Sequence, residues 1–288
     1  MTDIEETYRC FIKCISEKKW EDLPRYISSH LIRNGQEHTP ESYAAELMLV
    51  GGGGGRIELI VDAITIDRES QRLAANIVVK SEVASVDENA QQTSFTEQQF
   101  VWFTGGKVST MLVVEDGDDI QRQLSGAEHR YTSDLISLEQ PSRRVAAVKL
   151  SASELEERYR TYIGCINAQT METDLRNFCN PQVVHNTKTL TIDEYRFLIQ
   201  EARTAIPDIT FGLHTVIADA KTQRVAARIE FTGTPVGTLA GAKPNGRGVR
   251  FCEHVTYRFE EGKIARVWSI VDWESYRRQL SDQHKQQE

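Results

Sequence analysis

The 288-residue chain lacks any apolar run approaching the roughly 18 residues that a membrane-spanning helix needs. Its opening, MTDIEETYRC, has neither a basic start nor an apolar stretch, so no secretory leader is expected and the expected location is the cytoplasm. Positive charge is in deficit: 34 Lys and Arg stand against 42 Asp and Glu, a formal net charge of -8. Nucleic acids and anionic membranes are gripped by clustered Lys and Arg, so neither is an expected partner, and a small uncharged molecule or another protein is. Cysteine is scarce and unpaired in pattern: Cys10, Cys14, Cys165, Cys179 and Cys252 are odd in number and form no CxxC, which argues for reduced core residues. The histidines form no HxH or HExxH and no GxSxG elbow is present, so no metal, no cofactor and no serine-hydrolase chemistry is expected. The tract Gly51 to Gly55 is followed by Arg56 and a strand pattern rather than by GK[ST] and a helix, which makes it a loop and not a phosphate cradle.

What is present is an internal repeat. Ile4-Glu-Glu-Thr-Tyr8 and Phe11-Ile-Lys-Cys14 return as Leu155-Glu-Glu-Arg-Tyr159 and Tyr162-Ile-Gly-Cys165. Gln71-Arg-Leu-Ala-Ala-Asn-Ile77 returns as Gln223-Arg-Val-Ala-Ala-Arg-Ile229, and Tyr43 as Tyr195. The second copy then carries a short insertion between Thr232 and Arg250, after which Gly106-Lys107 matches Gly262-Lys263 and Asp116 matches Asp272. Register kept over this length identifies a tandem duplication. The expected division is a first domain at 1–125, a polar linker at 126–151 in which Tyr131 to Leu138 could add a short helix, a second domain at 152–282, and a polar tail at 283–288.

Each copy reads as helices followed by strands. Tyr159, Tyr162, Ile163 and Ile166 fall at helical spacing; a second helix covers Met171 to Phe178, with Pro181 as its stop. Thr191-Ile-Asp-Glu194 has the form of a capping box and opens a third helix to about Thr204. Period-two strands are predicted near Ile209 to Ala218, Arg224 to Gly233, Gly248 to Phe259 and Lys263 to Val271, with a hairpin turn at Glu260 to Lys263 and a last helix to Leu280. Helices before an antiparallel meander make an α+β unit, its helices packed on one face of a curved sheet around a conical pocket.

The second copy resembles the SnoaL-like polyketide cyclase family of the nuclear-transport-factor-2-like superfamily. The segments that carry this are Ile206-Pro-Asp208, Arg224 to Thr234, Gly237 to Arg247, Tyr257 to Ile264, and Trp268 to Asp272; the first copy is more diverged. The resemblance implies two tandem cone-shaped α+β barrels, each a mainly antiparallel sheet around a deep pocket, with the outer sheet face available for pairing. The two copies would thus form an intramolecular pseudo-dimer, and a homodimer is a further option. It also implies a cyclase, isomerase or dehydratase (a lyase) of secondary metabolism, working on a small apolar polyketide- or terpenoid-like intermediate, with a non-catalytic ligand-binding or scaffold role as the alternative.

Asp272 stands at the position of the family's acid/base aspartate and alternates with Trp268 and Ile270 along one strand face, which would set it in an apolar wall. A residue just before a helix is equally a natural cap. His185-Asn186 resembles a pair lining the family's pocket mouth. The third strand puts Cys252, His254 and Thr256 on one face and Glu253, Val255 and Tyr257 on the other, and which face meets the pocket stays open. The candidate set is therefore Asp272, His254 and His185 for acid-base work, with Asn186, Trp268, Glu253, Tyr195 and His214 for substrate contact. In the first copy Arg33, Gln98 and Leu112 replace His185, His254 and Trp268, while Glu97 and Asp116 keep Glu253 and Asp272. A supporting first half and a working second half are expected.

Overall fold

The computed structural model describes residues 3–50, 57–83, 91–126 and 148–281 and divides into two compact units, Met1–Pro141 and Ser142–Glu288. The glycine tract at 51–55, the centre of the linker with its short-helix option at 131–138, and the polar tail all lie outside the described residues.

In the second unit, α4 (Ala152–Ala168) begins at a capping box in which Ser151 and Glu154 satisfy each other's backbone N–H groups. Such a cap is worth about 1 kcal/mol. The buried stripe of α4 is Leu155, Tyr159, Tyr162, Ile163 and Ile166, and the helix ends where Gln169 turns into the left-handed region at φ 61°. The next helix, α5 (Met171–Phe178), leads directly into strand β7 (Cys179–His185). This strand and β8 (Lys188–Thr191) form a hairpin between the helices, so the expected order of helices first and strands afterwards does not hold. Pro181 sits inside β7 rather than marking a stop; it falls where the parallel pairing of β7 with the last strand breaks register between Cys179 and Val184, a place that needs no ladder N–H. Helix α6 (Ile192–Ala205) opens with the predicted Thr191–Glu194 capping box.

Four long strands complete the sheet: β9 (Thr210–Asp219), β10 (Arg224–Gly233), β11 (Val249–Glu260) and β12 (Lys263–Val271), followed by α7 (Trp273–Leu280). Sheet order is β8-β7-β12-β11-β10-β9, antiparallel except for the parallel β7–β12 pair. Among the described residues the edge strands β8 and β9 do not pair, so the unit is an open, curved sheet rather than a closed barrel. Register shifts at Arg228/Ile229 and Arg258/Phe259 supply bends.

The helices fill one face of this sheet. Val249, Phe251, Val255, Tyr257 and Phe259 of β11 pack with Leu155, Tyr159 and Tyr162 of α4, Tyr195 of α6 and Tyr276 of α7 in one apolar core. Directly opposed residues of antiparallel strands share a face, so Val267, Ser269 and Val271 of β12 join that inner set, while Trp268 and Ile270 lie on the other side. Gly233 at the end of β10 is required by close approach: a Cβ there would come within 2.6 Å of the Ile206 side chain. The inserted segment after it is tied down by Val236 and Gly237 N–H donating to Ala205 O and by Asn245 donating to the C-terminal carbonyls of α7.

The first unit repeats the plan. Helix α1 (Ile4–Ser16), a 3-10 turn (Trp20–Arg25), β1 (Ile27–Arg33), β2 (Gln36–His38), α2 (Pro40–Val50), β3 (Ile57–Asp67), β4 (Arg72–Val83), β5 (Gln91–Thr104), β6 (Lys107–Glu115) and α3 (Gly117–Leu124) follow one another, with sheet order β2-β1-β6-β5-β4-β3. Its core joins Tyr8 and Phe11 of α1 to Ile77, Val79, Val101 and Phe103 of the sheet. Both halves are thus α+β with one six-stranded mixed sheet apiece, as a duplication requires. Among the described residues no helix is long and apolar enough to cross a membrane.

Candidate functional site

Strand alternation decides which acid meets the helices. Because Val255 and Tyr257 belong to the core beneath α4, Glu253, two residues before Val255, also points inward, and His254 points to the opposite face. Glu253 is surrounded by tyrosines: its charge acts on Tyr159, Tyr195 and Tyr257. Burial pushes its carboxyl up to about 7, against the pull of a hydrogen bond donated by the Ser269 hydroxyl to Oε1. A carboxyl half-ionised near neutral pH can both take and return a proton. Removing a charge from water is what raises it, and the single hydroxyl does not compensate.

Ser269 is held in turn by Asn186. The side-chain Oδ1 of Asn186 accepts from Ser269 N–H at 2.8 Å and its Nδ2 donates to Ser269 O at 3.1 Å, while its backbone N–H donates to Val267 O at 2.8 Å. Asn186 is left-handed at φ 51°, a conformation that asparagine tolerates better than most residues. Its amide thus works as a clamp between the end of β7 and β12. The first unit has the same clamp: Asn34 at φ 49° bonds both backbone groups of Val113 at 2.8 and 3.1 Å.

The tyrosines form a hydroxyl cluster over Glu253. Tyr162 and Tyr195 share a hydrogen bond at 2.8 Å, and the Tyr159 and Tyr257 rings meet at 4.9 Å. Burial drives all four phenols well above their ordinary value, so they remain neutral O–H donors. The Tyr159 hydroxyl is buried without a hydrogen-bond partner; the approach of Tyr257 falls short of hydrogen-bond geometry. His185, partly buried, lies with its ring 5.9 Å from Tyr195, and desolvation, with Lys188 adding to it, lowers it to about 4. It is therefore a neutral imidazole at pH 7.

The remaining candidates lie elsewhere. Trp268, Ile270 and Asp272 do share one face, but it is the face turned from the helices, where the Arg266 guanidinium stacks 4.7 Å over the Trp268 ring. The Asp272 carboxylate accepts from Ser275 N–H at 2.9 Å as the N-cap of α7 and touches the electrostatics of outward Cys252. Asp116 caps α3 in the same way, accepting from Asp119 N–H at 3.0 Å. His254 is fully buried, and its Nε2 lies 2.8 Å from Arg228 Nη1. A guanidinium only donates, so that ring nitrogen accepts. His214 is exposed at the β9 irregularity and bonds the hydroxyl of its neighbour Thr215. The structure thus gathers His185, Asn186, Tyr195 and Glu253 with Ser269, Tyr159, Tyr162 and Tyr257, and leaves Asp272, His254, Trp268 and His214 apart. Ser269 and the three added tyrosines were missed from sequence, although the pairing of Tyr8 with Tyr159 was a usable signal.

In the first unit Glu97 occupies the place of Glu253 and is likewise pushed up to about 7, by burial first and by the charge of Glu115 directly across the strands second. Its surroundings differ. Gln99 Nε2 donates to Glu97 Oε1 at 2.5 Å, and Gln99 Oε1 accepts from the Tyr8 hydroxyl at 2.7 Å. Arg33, in place of His185, pairs with Glu46 at 3.1 Å and Glu115 at 3.7 Å.

Residues 156–280 match the family model described as SnoaL-like polyketide cyclase. Among solved structures, the chain is similar to a SnoaL-like polyketide cyclase of Agrobacterium tumefaciens, with 37% identity over 44% of this chain and 98% of that one and a TM-score of 0.42. It is also similar to AclR of Streptomyces galilaeus, a candidate hydroxylase, with 22% identity over 45% and 97% of the two chains and a TM-score of 0.40. A third is IdmH of Streptomyces antibioticus, a candidate polyketide cyclase, with 20% identity over 44% and 97% and a TM-score of 0.39. No curated protein matches the chain.

Proposed function

The chain belongs to the SnoaL-like polyketide cyclase family, and we propose that its second unit is a cofactor-independent cyclase or isomerase in which Glu253 moves the proton. The substrate class is a small, largely apolar polyketide- or terpenoid-like intermediate bearing a carbonyl, and dehydration is a variant of the same acid-base chemistry. The observation that carries the reading is the inward Glu253 carboxyl, raised to about 7 among neutral phenols. An ionised Glu253 would take a proton from carbon beside a carbonyl, and the protonated acid would return it after ring closure or at a second carbon. General acid-base catalysis by a positioned group is worth on the order of 10² to 10⁴ in rate. Ser269, clamped by Asn186, would keep the carboxyl in place.

A ligand-binding role without chemistry is less well supported, because it gives no reason to keep a carboxyl buried at a cost. The test is deuterium exchange or cyclisation of apolar ketones by the full chain, compared with Glu253→Gln, which keeps shape and removes the base. Loss of about 10³-fold in turnover with an unchanged circular dichroism spectrum is expected. Undiminished turnover in that variant would show that the proton is carried elsewhere.

A further inference from the structure

The two copies differ in one bridge, and the bridge describes a ligand. In the first unit the Gln99 carboxamide spans from phenol to acid: its C=O accepts from Tyr8, and its N–H donates to Glu97. All three residues are buried. The second unit keeps the phenol as Tyr159 and the acid as Glu253, yet the position of Gln99 is taken by Val255, which can bridge nothing. The Tyr159 hydroxyl is left buried with no well-formed hydrogen bond, only the approach of the Tyr257 side chain, and the charge of Glu253 acts on it. A buried hydroxyl without a good partner is costly, so its retention over Phe calls for a partner that is not part of the chain.

Resting on the reading of Glu253 as the proton carrier, we propose that the substrate replaces the Gln99 amide: its carbonyl oxygen accepts from the Tyr159 hydroxyl and its acidic C–H faces Glu253. The same geometry serves one balanced step. Glu253 takes the proton from the carbon beside the carbonyl, and the C–H electron pair becomes the C=C of the enolate. The carbonyl π pair moves to oxygen, where the Tyr159 O–H, itself never ionised, holds the developing charge. Glu253 then returns the proton, so no external reactant is consumed. In the first unit the Gln99 amide already fills this arrangement, and no substrate enters it.

The experiment follows deuterium uptake by α-tetralone, an apolar ketone whose C–H exchanges slowly in D2O, with the full chain and three variants. Tyr159→Phe is expected to lower kcat on the order of 10²-fold with KM nearly unchanged, the usual loss for one donor to a developing oxyanion. Val255→Gln, which rebuilds the bridge of the first unit while leaving Tyr159 and Glu253 in place, is expected to raise KM or abolish uptake. If Glu253→Gln abolishes uptake but Tyr159→Phe and Val255→Gln both stay within twofold of the parent, this placement is overturned and the reading of Glu253 stands. Exchange that persists in Glu253→Gln, or no protein-dependent exchange in the parent chain, overturns both. Should Val255→Gln fail to fold by circular dichroism, Tyr159→Phe decides alone.

Discussion

The inner faces of the two units start from the same three parts, a tyrosine on the first helix, a glutamate on the third long strand and an asparagine clamp after the first short one, and put them to different use. In the first unit these polar groups meet partners within the chain: Tyr8 on Gln99, Gln99 on Glu97, and Arg33 on Glu46 and Glu115. In the second unit the charged partners are gone and hydroxyls take their place, with Ser269 on Glu253, Tyr162 on Tyr195, and Tyr159 on nothing. A closed network stabilises, whereas one with a donor left over is poised for a ligand. Under the proposed function, duplication would allow this division, because a copy that keeps the chemistry releases the other to become structure.

The largest test of that contrast is Glu253→Gln against Glu97→Gln. The first is expected to cost about 10³-fold in turnover and the second less than twofold. Equal losses from both would mean two working sites.

Next in size is the response of stability to pH. A carboxyl at about 7 in the folded chain and 4.5 in its unperturbed state binds more protons when folded. The stability it contributes is therefore complete below about 4.5 and lost as pH rises through 7, by about 3 kcal/mol per group. His185, lowered from 6.5 to about 4, acts with the opposite sign: the folded state binds fewer protons, so stability rises between 4 and 6.5. The first unit has Arg33, not a histidine, at the matching position. Hydrogen exchange resolved by unit, from pH 4.5 to 7, should show the first unit weakening by about 3 kcal/mol and the second changing less. Parallel slopes would contradict the assignment.

A smaller effect separates the two tyrosines. Tyr8→Phe strands the Gln99 carbonyl and should destabilise the first unit by about 1 to 3 kcal/mol, whereas Tyr159→Phe removes a hydroxyl that had no partner and should be neutral or stabilising. Urea unfolding followed by unit-resolved exchange distinguishes these outcomes. The smallest difference expected is none: Asp116→Ala and Asp272→Ala should each cost about 1 kcal/mol through the lost cap, with turnover within a few fold of the parent for Asp272→Ala. A collapse of turnover there would return Asp272 to the chemistry.

Much of the fold was legible because its signals are local. The Thr191–Glu194 box, the α4 stripe and the four long strands lie where spacing predicts them. The β7–β8 hairpin was hidden because Pro181 reads as a helix stop, and only its place at a break in parallel pairing makes it acceptable within a strand. For the site, His185, Asn186, Tyr195 and Glu253 were named from sequence, but Ser269 and Tyr159 were not. Serine and tyrosine carry no spacing signature, and they matter here through what lies opposite them across strands and helices.

By itself, the sequence determined that this chain is one unit made twice, that each copy is α+β, and that residues 252 to 257 alternate between two faces, since repeat register and period two are written along the chain. Only the tertiary structure decided that helices cover the face of Glu253 and not that of His254 or Asp272. Alternation sorts side chains into two sets, but which set lies beneath the helices depends on where helices distant in sequence come to pack.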